Sequence, residues 1–326
     1  MKYLVIDVAA EHSGALSILK RFVEGFKSDV ENEYVVCVSN LDFADTENVK
    51  FLKFPWVKKS KLHRLYFDSF FVKKLVKKYS PDKILSLQNK GFAVKNIPQD
   101  VYFHNALFIC EKRFSPRESK SLWIYQNVIA KLTKKSMRFA DKIIVQGEWI
   151  KNALGEKWGI STEKIVVDRP SVNPVFSEAA AYSEPDEKKL FYPANFSIYK
   201  NHRTLLSACL EVWKEKGENS FALLLTGKKE AAPSYLREAA ERCNMRFLGA
   251  LTPEEMKDVY LQSTLVFPSY IETVGLPLLE AKELCRPIIA ADCEYAREAV
   301  GEYDKADYFS PFSVAELKSL IEERIK

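Results

Sequence analysis

The chain has 326 residues, 47% of them hydrophobic and 29% charged, with a net charge of +5. That balance suits a folded globular protein, excludes collagenous and disordered classes, and leaves no run near the roughly 18 apolar residues of a membrane span. Six cysteines without a Cys-x-x-Cys pair and four scattered histidines point to reduced thiols, a cytoplasmic location and no structural metal.

Taken in chain order, a first strand is expected over 3–8. Asp7 interrupts its apolar run and Glu11 and His12 follow at once, as befits a buried strand and not a signal sequence. Behind it Gly14 can bring backbone close to a ligand at a helix start, although one glycine is not a dinucleotide fingerprint. Helices at 15–26, 62–79, 122–139 and 149–158 then alternate with strands at 34–38, 83–87, 101–103 and 142–145. His104 follows the strand at 101–103, where a strand's carboxyl end faces ligands in such folds.

Between Lys50 and Lys78 lysines and one arginine interleave with Phe54, Trp56, Leu62, Leu65, Tyr66, Phe67, Phe70 and Phe71, against the single Asp68. Such a segment suits peripheral attachment to an anionic membrane surface, or an ordinary amphipathic helix with a Lys-rich outer face. No nucleic-acid motif accompanies the charge, so nucleic acid is not an expected partner.

A polar, turn-rich stretch at 174–189 reads as a linker between domains 1–173 and 190–326. The second series has strands at 190–192, 221–226, 246–248, 265–267 and 287–290. Its helices fall at 203–216, 234–243, 253–262 and 277–284, with a last one from Val314. Alternation of this length implies an α/β protein of two Rossmann-like, doubly wound parallel-sheet domains, with ligands in a cleft at strand carboxyl ends.

The most informative segment is Phe267-Pro-Ser-Tyr-Ile-Glu-Thr-Val-Gly-Leu-Pro-Leu-Leu-Glu-Ala281. A strand ends at Pro268, Glu272 follows in a turn, Gly275 bends the chain, and Pro277 suits the first turn of a helix. Glu280 lies in that helix's opening turns, and helical side chains lean toward the N-terminus, so it points back toward the loop of Glu272. Free backbone N–H groups at a helix start attract phosphate, while carboxylates accept hydrogen bonds from sugar hydroxyls. Together they fit a sugar nucleotide. Lys200, ahead of a helix that Asn201 is placed to cap, can reach a diphosphate, and the loop Thr226-Gly227-Lys228-Lys229 has the flexibility and charge to touch phosphate.

With these pieces in order, the second domain resembles glycosyltransferase family 4, the large retaining family with the GT-B fold. The match is carried by Phe267 to Lys282 with its Glu-x7-Glu spacing, by Phe247 to Glu255 followed by Tyr260, by Lys200-Asn201-His202, and by Arg297-Glu298. In the first domain its best points are Ser13-Gly14, His104-Asn105 and Gln146.

The resemblance implies that Glu280 binds the nucleotide ribose, that Glu272 orients the donor sugar, and that amides around Val274, Gly275 and Leu276 hold the β-phosphate. Lys200 would neutralise the leaving diphosphate, Gly14 would give room for the phosphates, and His104 would contact the transferred sugar. It implies a UDP- or GDP-sugar donor, a carbohydrate or lipid-linked glycan acceptor, as in bacterial surface polysaccharide assembly, and no cofactor or metal. A GT-B epimerase or a non-catalytic donor-binding subunit are the alternatives. Asn195 stands near where the family often has an arginine, leaving Lys228, Lys229 or Arg203 to assist Lys200. Cys285 stands where glycine is common, and the returning C-terminal helix is expected to be short or missing.

Overall fold

The computed structural model describes residues 1–11, 13–177 and 188–325. The chain divides into two compact units, Met1–Arg169 and Pro170–Lys326. Of the expected linker, residues 174–177 form a short helix and 178–187 lie outside the described residues.

The first unit runs β1 (Lys2–Asp7), α1 (Ser13–Ser28), β2 (Glu33–Val38), β3 (Val49–Lys53), α2 (Lys61–Tyr66), α3 (Val72–Tyr79), β4 (Lys83–Ser86), β5 (Gln99–Phe103), α4 (Pro116–Ile124), α5 (Ala130–Ser136), β6 (Lys142–Val145), α6 (Glu148–Trp158) and β7 (Ile165–Val167). Its seven strands form one parallel sheet in the order β3-β2-β1-β4-β5-β6-β7. The second unit runs α7 (Pro174–Ser177), β8 (Lys189–Tyr192), α8 (His202–Lys216), β9 (Ala222–Leu225), α9 (Ser234–Ala240), β10 (Met245–Phe247), α10 (Pro253–Leu261), β11 (Thr264–Phe267), α11 (Leu276–Glu283), β12 (Ile288–Ala291), α12 (Glu294–Val300), β13 (Ala306–Phe309) and α13 (Val314–Arg324). Its six parallel strands take the order β10-β9-β8-β11-β12-β13, so both units share one winding scheme.

Both faces of each sheet are covered, so central strands read as unbroken apolar runs. In the first unit Val5, Val36, Val38, Leu85 and Tyr102 pack beneath Leu19, Val23 and Phe26 of α1. The opposite face packs Leu4, Ile6, Cys37 and Ile84 against Phe67, Val72 and Leu75. It continues with Val101, Phe103, Ile143 and Val145 against Ala130 and Met137.

Three strands absent from the expected pattern, β3, β7 and β13, are all edge strands. Edge strands need less apolar sequence, and the lysines of β3 (Val-Lys-Phe-Leu-Lys) hid its alternation inside a charge run. The two long helices expected at 62–79 and 122–139 are each interrupted by a π turn, Phe67–Phe71 and Tyr125–Ile129. An extra residue per turn shifts the register of everything that follows. Cys285, at the place of a common glycine, adopts a left-handed φ of 54° after α11.

Asp7 at the end of β1 is 1% exposed. Its Oδ1 accepts from the Ala10 amide at 3.1 Å, and Oδ2 has no partner among the described residues. Burial pushes its carboxyl up to about 7, against the weaker pull of the Ala10 bond and of the Arg64 charge. Between the unfolded value of ~3.9 and that value, the native state holds a proton that the unfolded chain has lost. Stability therefore falls as pH rises through this window. In Asp7→Asn that decline should disappear, and the variant should gain about 4 kcal/mol relative to wild type between the two ends of the window. Urea unfolding midpoints measured across pH 4 to 8 check this; parallel curves for the two proteins would remove the assignment.

Candidate active site

In the second unit β8 and β11 are neighbours whose onward connections run in opposite directions, to β9 on one side and β12 on the other. Ligands of open α/β sheets bind outside the strand carboxyl ends at such a switch point. The loop after β8 carries Lys200, and the loop after β11 carries Glu272.

These loops are laced together. The Tyr192 hydroxyl, buried at the end of β8, donates to the Lys200 carbonyl at 2.6 Å. The Tyr270 amide donates to the Tyr199 carbonyl at 3.1 Å. From α12 the Tyr295 hydroxyl donates to the Ser269 carbonyl. On this frame Lys200 Nζ is ion-paired with Glu272 Oε1, and Ser269 Oγ donates to the same carboxylate at 2.8 Å. The lysine and glutamate side chains are 14% and 16% exposed, so water screens the pair weakly.

Asn201 does not cap α8 with its side chain. It takes a left-handed φ of 59°, which turns the chain from the Ile198–Lys200 turn into the helix. Its Nδ2 donates instead to the carbonyls of Pro268 at 3.1 Å and Pro311 at 2.5 Å. Asn201 therefore ties the Lys200 loop to the loops after β11 and β13.

Gly275 sits at the N-cap of α11 with φ +74°, and a Cβ there would stand 3.0 Å from the Tyr295 ring. Only glycine meets both demands. Val274 precedes it and Leu276 opens the helix, with Pro277 in the first turn. Glu280 lies in the second turn, where the Tyr260 hydroxyl of α10 donates to its Oε2 at 2.8 Å. Burial raises the Glu280 carboxyl above its ordinary value, and the Tyr260 bond offsets part of the rise. The two glutamates thus have separate partners, a cation and a serine for Glu272, a buried phenol for Glu280.

Gly227 takes φ +93°, and a Cβ there would lie 2.8 Å from the Phe196 ring. Its amide donates to the Gly249 carbonyl at 2.7 Å, so its hydrogen already has a protein acceptor. Asn195 is exposed, with Oδ1 accepting from the Ser197 amide at 3.0 Å. Of the expected helpers, Arg203 stacks on the Tyr235 ring at 4.5 Å and Lys229 approaches Glu241 at 3.9 Å. Arg297 is held by Asp292 at 2.7 and 2.8 Å and lies over Tyr308.

In the first unit His104 follows β5. Its Nε2 donates to the Leu87 carbonyl at 3.0 Å, and its amide donates to Asn89 Oδ1 at 2.6 Å. Burial lowers its pKa, so the ring is neutral near pH 7. Gly14 is exposed in the first turn of α1, and among the described residues nothing lies within 4 Å of where a Cβ would stand. Backbone there is open to approach. Among the described residues no group of three His, Cys, Asp or Glu side chains is placed to hold a metal ion.

Ser269 and the Tyr260–Glu280 bond were not read from the sequence as site features. The Ser-x-x-Glu spacing of 269–272 carries a signal for the first, since that spacing brings side chains together at turns and caps. The second depends on α10 meeting α11 in space, which no local spacing encodes.

Residues 177–326 match the family of glycosyl transferases group 1. A stretch of 170 residues is 29% identical to the D-inositol 3-phosphate glycosyltransferase of Rhodococcus erythropolis, covering 47% of this chain and 38% of that protein. Another of 108 residues is 30% identical to the O-antigen chain mannosyltransferase B of Escherichia coli, covering 32% of this chain and 28% of that one. The chain thus matches well under half the length of these curated relatives. Among solved structures, WaaG, a glycosyltransferase involved in lipopolysaccharide biosynthesis, superposes with a TM-score of 0.74 at 14% identity, over 100% of this chain and 90% of that one. HepE of Anabaena in complex with UDP-glucose gives 0.68 at 17% identity, over the same shares. At these identities the likeness is one of fold. Over residues 177–326 the chain is thus similar to the glycosyl transferases group 1 family, and its two Rossmann-like sheets have the GT-B fold.

Proposed function

We propose that the protein is a retaining glycosyltransferase of family 4 that moves a sugar from a UDP- or GDP-sugar to a carbohydrate or lipid-linked glycan, without a metal. The observation that carries this reading is the partly buried Lys200–Glu272 pair at the β8/β11 switch point, with Glu280 one helix turn beyond Gly275. A lysine held at this edge supplies the positive charge that a departing nucleoside diphosphate needs, and such preorganised charge is the principal catalytic term for this chemistry. Glu280 supplies a hydrogen-bond acceptor for ribose hydroxyls, and Glu272 one for the sugar. The relatives support the substrate class: one is an O-antigen mannosyltransferase, and one solved neighbour holds UDP-glucose. The basic aromatic segment at 50–78 supports an acceptor presented at an anionic membrane surface.

Incubation with a panel of UDP-, GDP- and ADP-sugars tests the reading. Release of a nucleoside diphosphate from one donor, with product of the donor's own anomeric configuration by NMR, is the expected result. Change of the sugar without release would identify an epimerase, and no change with any donor would reduce the protein to a binding module.

A further inference from the structure

Most of this molecule's charge imbalance sits in two stretches of the first unit. Residues 58–78 hold eight Lys and Arg against Asp68 alone, and residues 112–138 hold eight against Glu118 alone. Together they carry +14 in a chain of net +5, so the remainder is −9. Asp68 is turned inward, where Arg64, Gln88 and Lys90 bond its carboxylate, so it does not neutralise the outer surface.

The two stretches lie on one face of the sheet. Ile6 pairs with Ser86, Ser86 with Val101, and Val101 with Ile143, and residues paired across parallel strands point to the same side. That row begins in the core under α2 and α3, with Ile6, and ends in the core under α5, with Val101 and Ile143, so both cores lie on a single face. The loop after β4 joins the two helical layers, since Lys90 reaches Asp68 and the adjacent Gly91 amide donates to Ser136 Oγ.

An ordinary amphipathic helix buries its apolar side, and each of these carries a further apolar set on its exposed side. In the first, Phe67, Val72 and Leu75 face the core, while Leu62, Leu65 and Phe70 point to solvent at 76, 57 and 61% exposure, beside exposed Tyr66. In the second, Gln126, Ala130, Thr133 and Met137 face inward, while Trp123, Tyr125, Val128 and Leu132 are exposed. Exposed aliphatic side chains ringed by lysine and flanked by Tyr and Trp match an anionic bilayer, whose headgroups take the cations and whose acyl boundary takes the apolar tips. A nucleic acid would use the cations and leave Leu62, Leu65, Val128 and Leu132 without a partner.

We propose that these two helical layers form one continuous docking surface for an anionic lipid bilayer, with the stretch at 116–136 an equal partner of the one at 61–79. The inference deepens the membrane part of the proposed function and rests on it, but not on the donor chemistry.

Sedimentation of the full chain with phosphatidylglycerol-containing vesicles, against pure phosphatidylcholine vesicles, tests it. Wild type should bind the anionic vesicles and lose binding as salt is raised. Leu62→Ser with Phe70→Ser, and separately Val128→Ser with Leu132→Ser, should each weaken binding by about tenfold or more. All four positions are solvent-facing, so circular dichroism should show unchanged folding. Full binding by the Val128/Leu132 variant would overturn the joint surface, and so would absence of vesicle binding by wild type. Binding to single-stranded RNA that both Leu→Ser variants retain in full would also overturn it. Donor turnover without vesicles should be the same in wild type and both variants; its absence in all three would sink the transferase reading and leave the vesicle result standing.

Discussion

Lys200→Ala should lower kcat for sugar transfer by about a hundred- to a thousandfold, the range for removing one preorganised charge from a developing anion. KM for the donor should change far less, since the ammonium matters most as the sugar–oxygen bond breaks and charge collects on the diphosphate. The ligand-free geometry adds a second expectation. Lys200 is already ion-paired with Glu272, which also accepts from Ser269, so an incoming diphosphate must compete with a carboxylate for the cation. Glu272→Gln removes that competition. It should bind free UDP or GDP about three- to tenfold more tightly than wild type, whose pair is only partly screened, while its transfer rate falls. Steady-state kinetics and calorimetry on the two variants read both effects. Unchanged turnover in Lys200→Ala would remove the site assignment. Weaker nucleotide binding in Glu272→Gln would show that the pair does not oppose the donor.

The positions of Lys200, Glu272 and Glu280 were legible because each lies where local chemistry punctuates the chain. Pro268, Gly275 and Pro277 mark a strand end, a left-handed turn and a helix start, and the structure uses all three. The partners of these residues were not legible, because they come from packing. Glu272 reaches Lys200 because β8 lies beside β11, and Tyr260 reaches Glu280 because α10 packs near α11. The central strands were readable as apolar runs, whereas β3, β7 and β13 were hidden by the polar character that sheet edges tolerate. The outward apolar stripe was hidden for another reason. A sequence shows that Leu62, Tyr66 and Phe70 are spaced for one helix face, but only the π turn and the separate inward set of Phe67, Val72 and Leu75 show that this face is not the core.

Glu280→Ala should raise the donor KM by about ten- to a hundredfold with a smaller loss in kcat, the cost of one or two charge-assisted hydrogen bonds made in ground and transition states alike. The more discriminating variant is Tyr260→Phe. The ring is fully buried and meets Phe191 edge-on at 5.1 Å, so the phenylalanine ring keeps that packing. What goes is the hydroxyl that donates to Glu280 Oε2. Burial already raises the Glu280 carboxyl, and the phenol is what holds it down. Without it the carboxyl should rise further, and the ionised form that accepts from ribose would be lost at a higher pH. In wild type the donor KM should be level at neutral pH and climb as the solution is acidified through the Glu280 pKa. In Tyr260→Phe the same climb should begin at higher pH, with kcat in the plateau unchanged. Displacement of the break identifies Tyr260 as the residue that keeps the ribose acceptor charged. A Tyr260 that served packing alone would leave the break in place and move only the thermal midpoint.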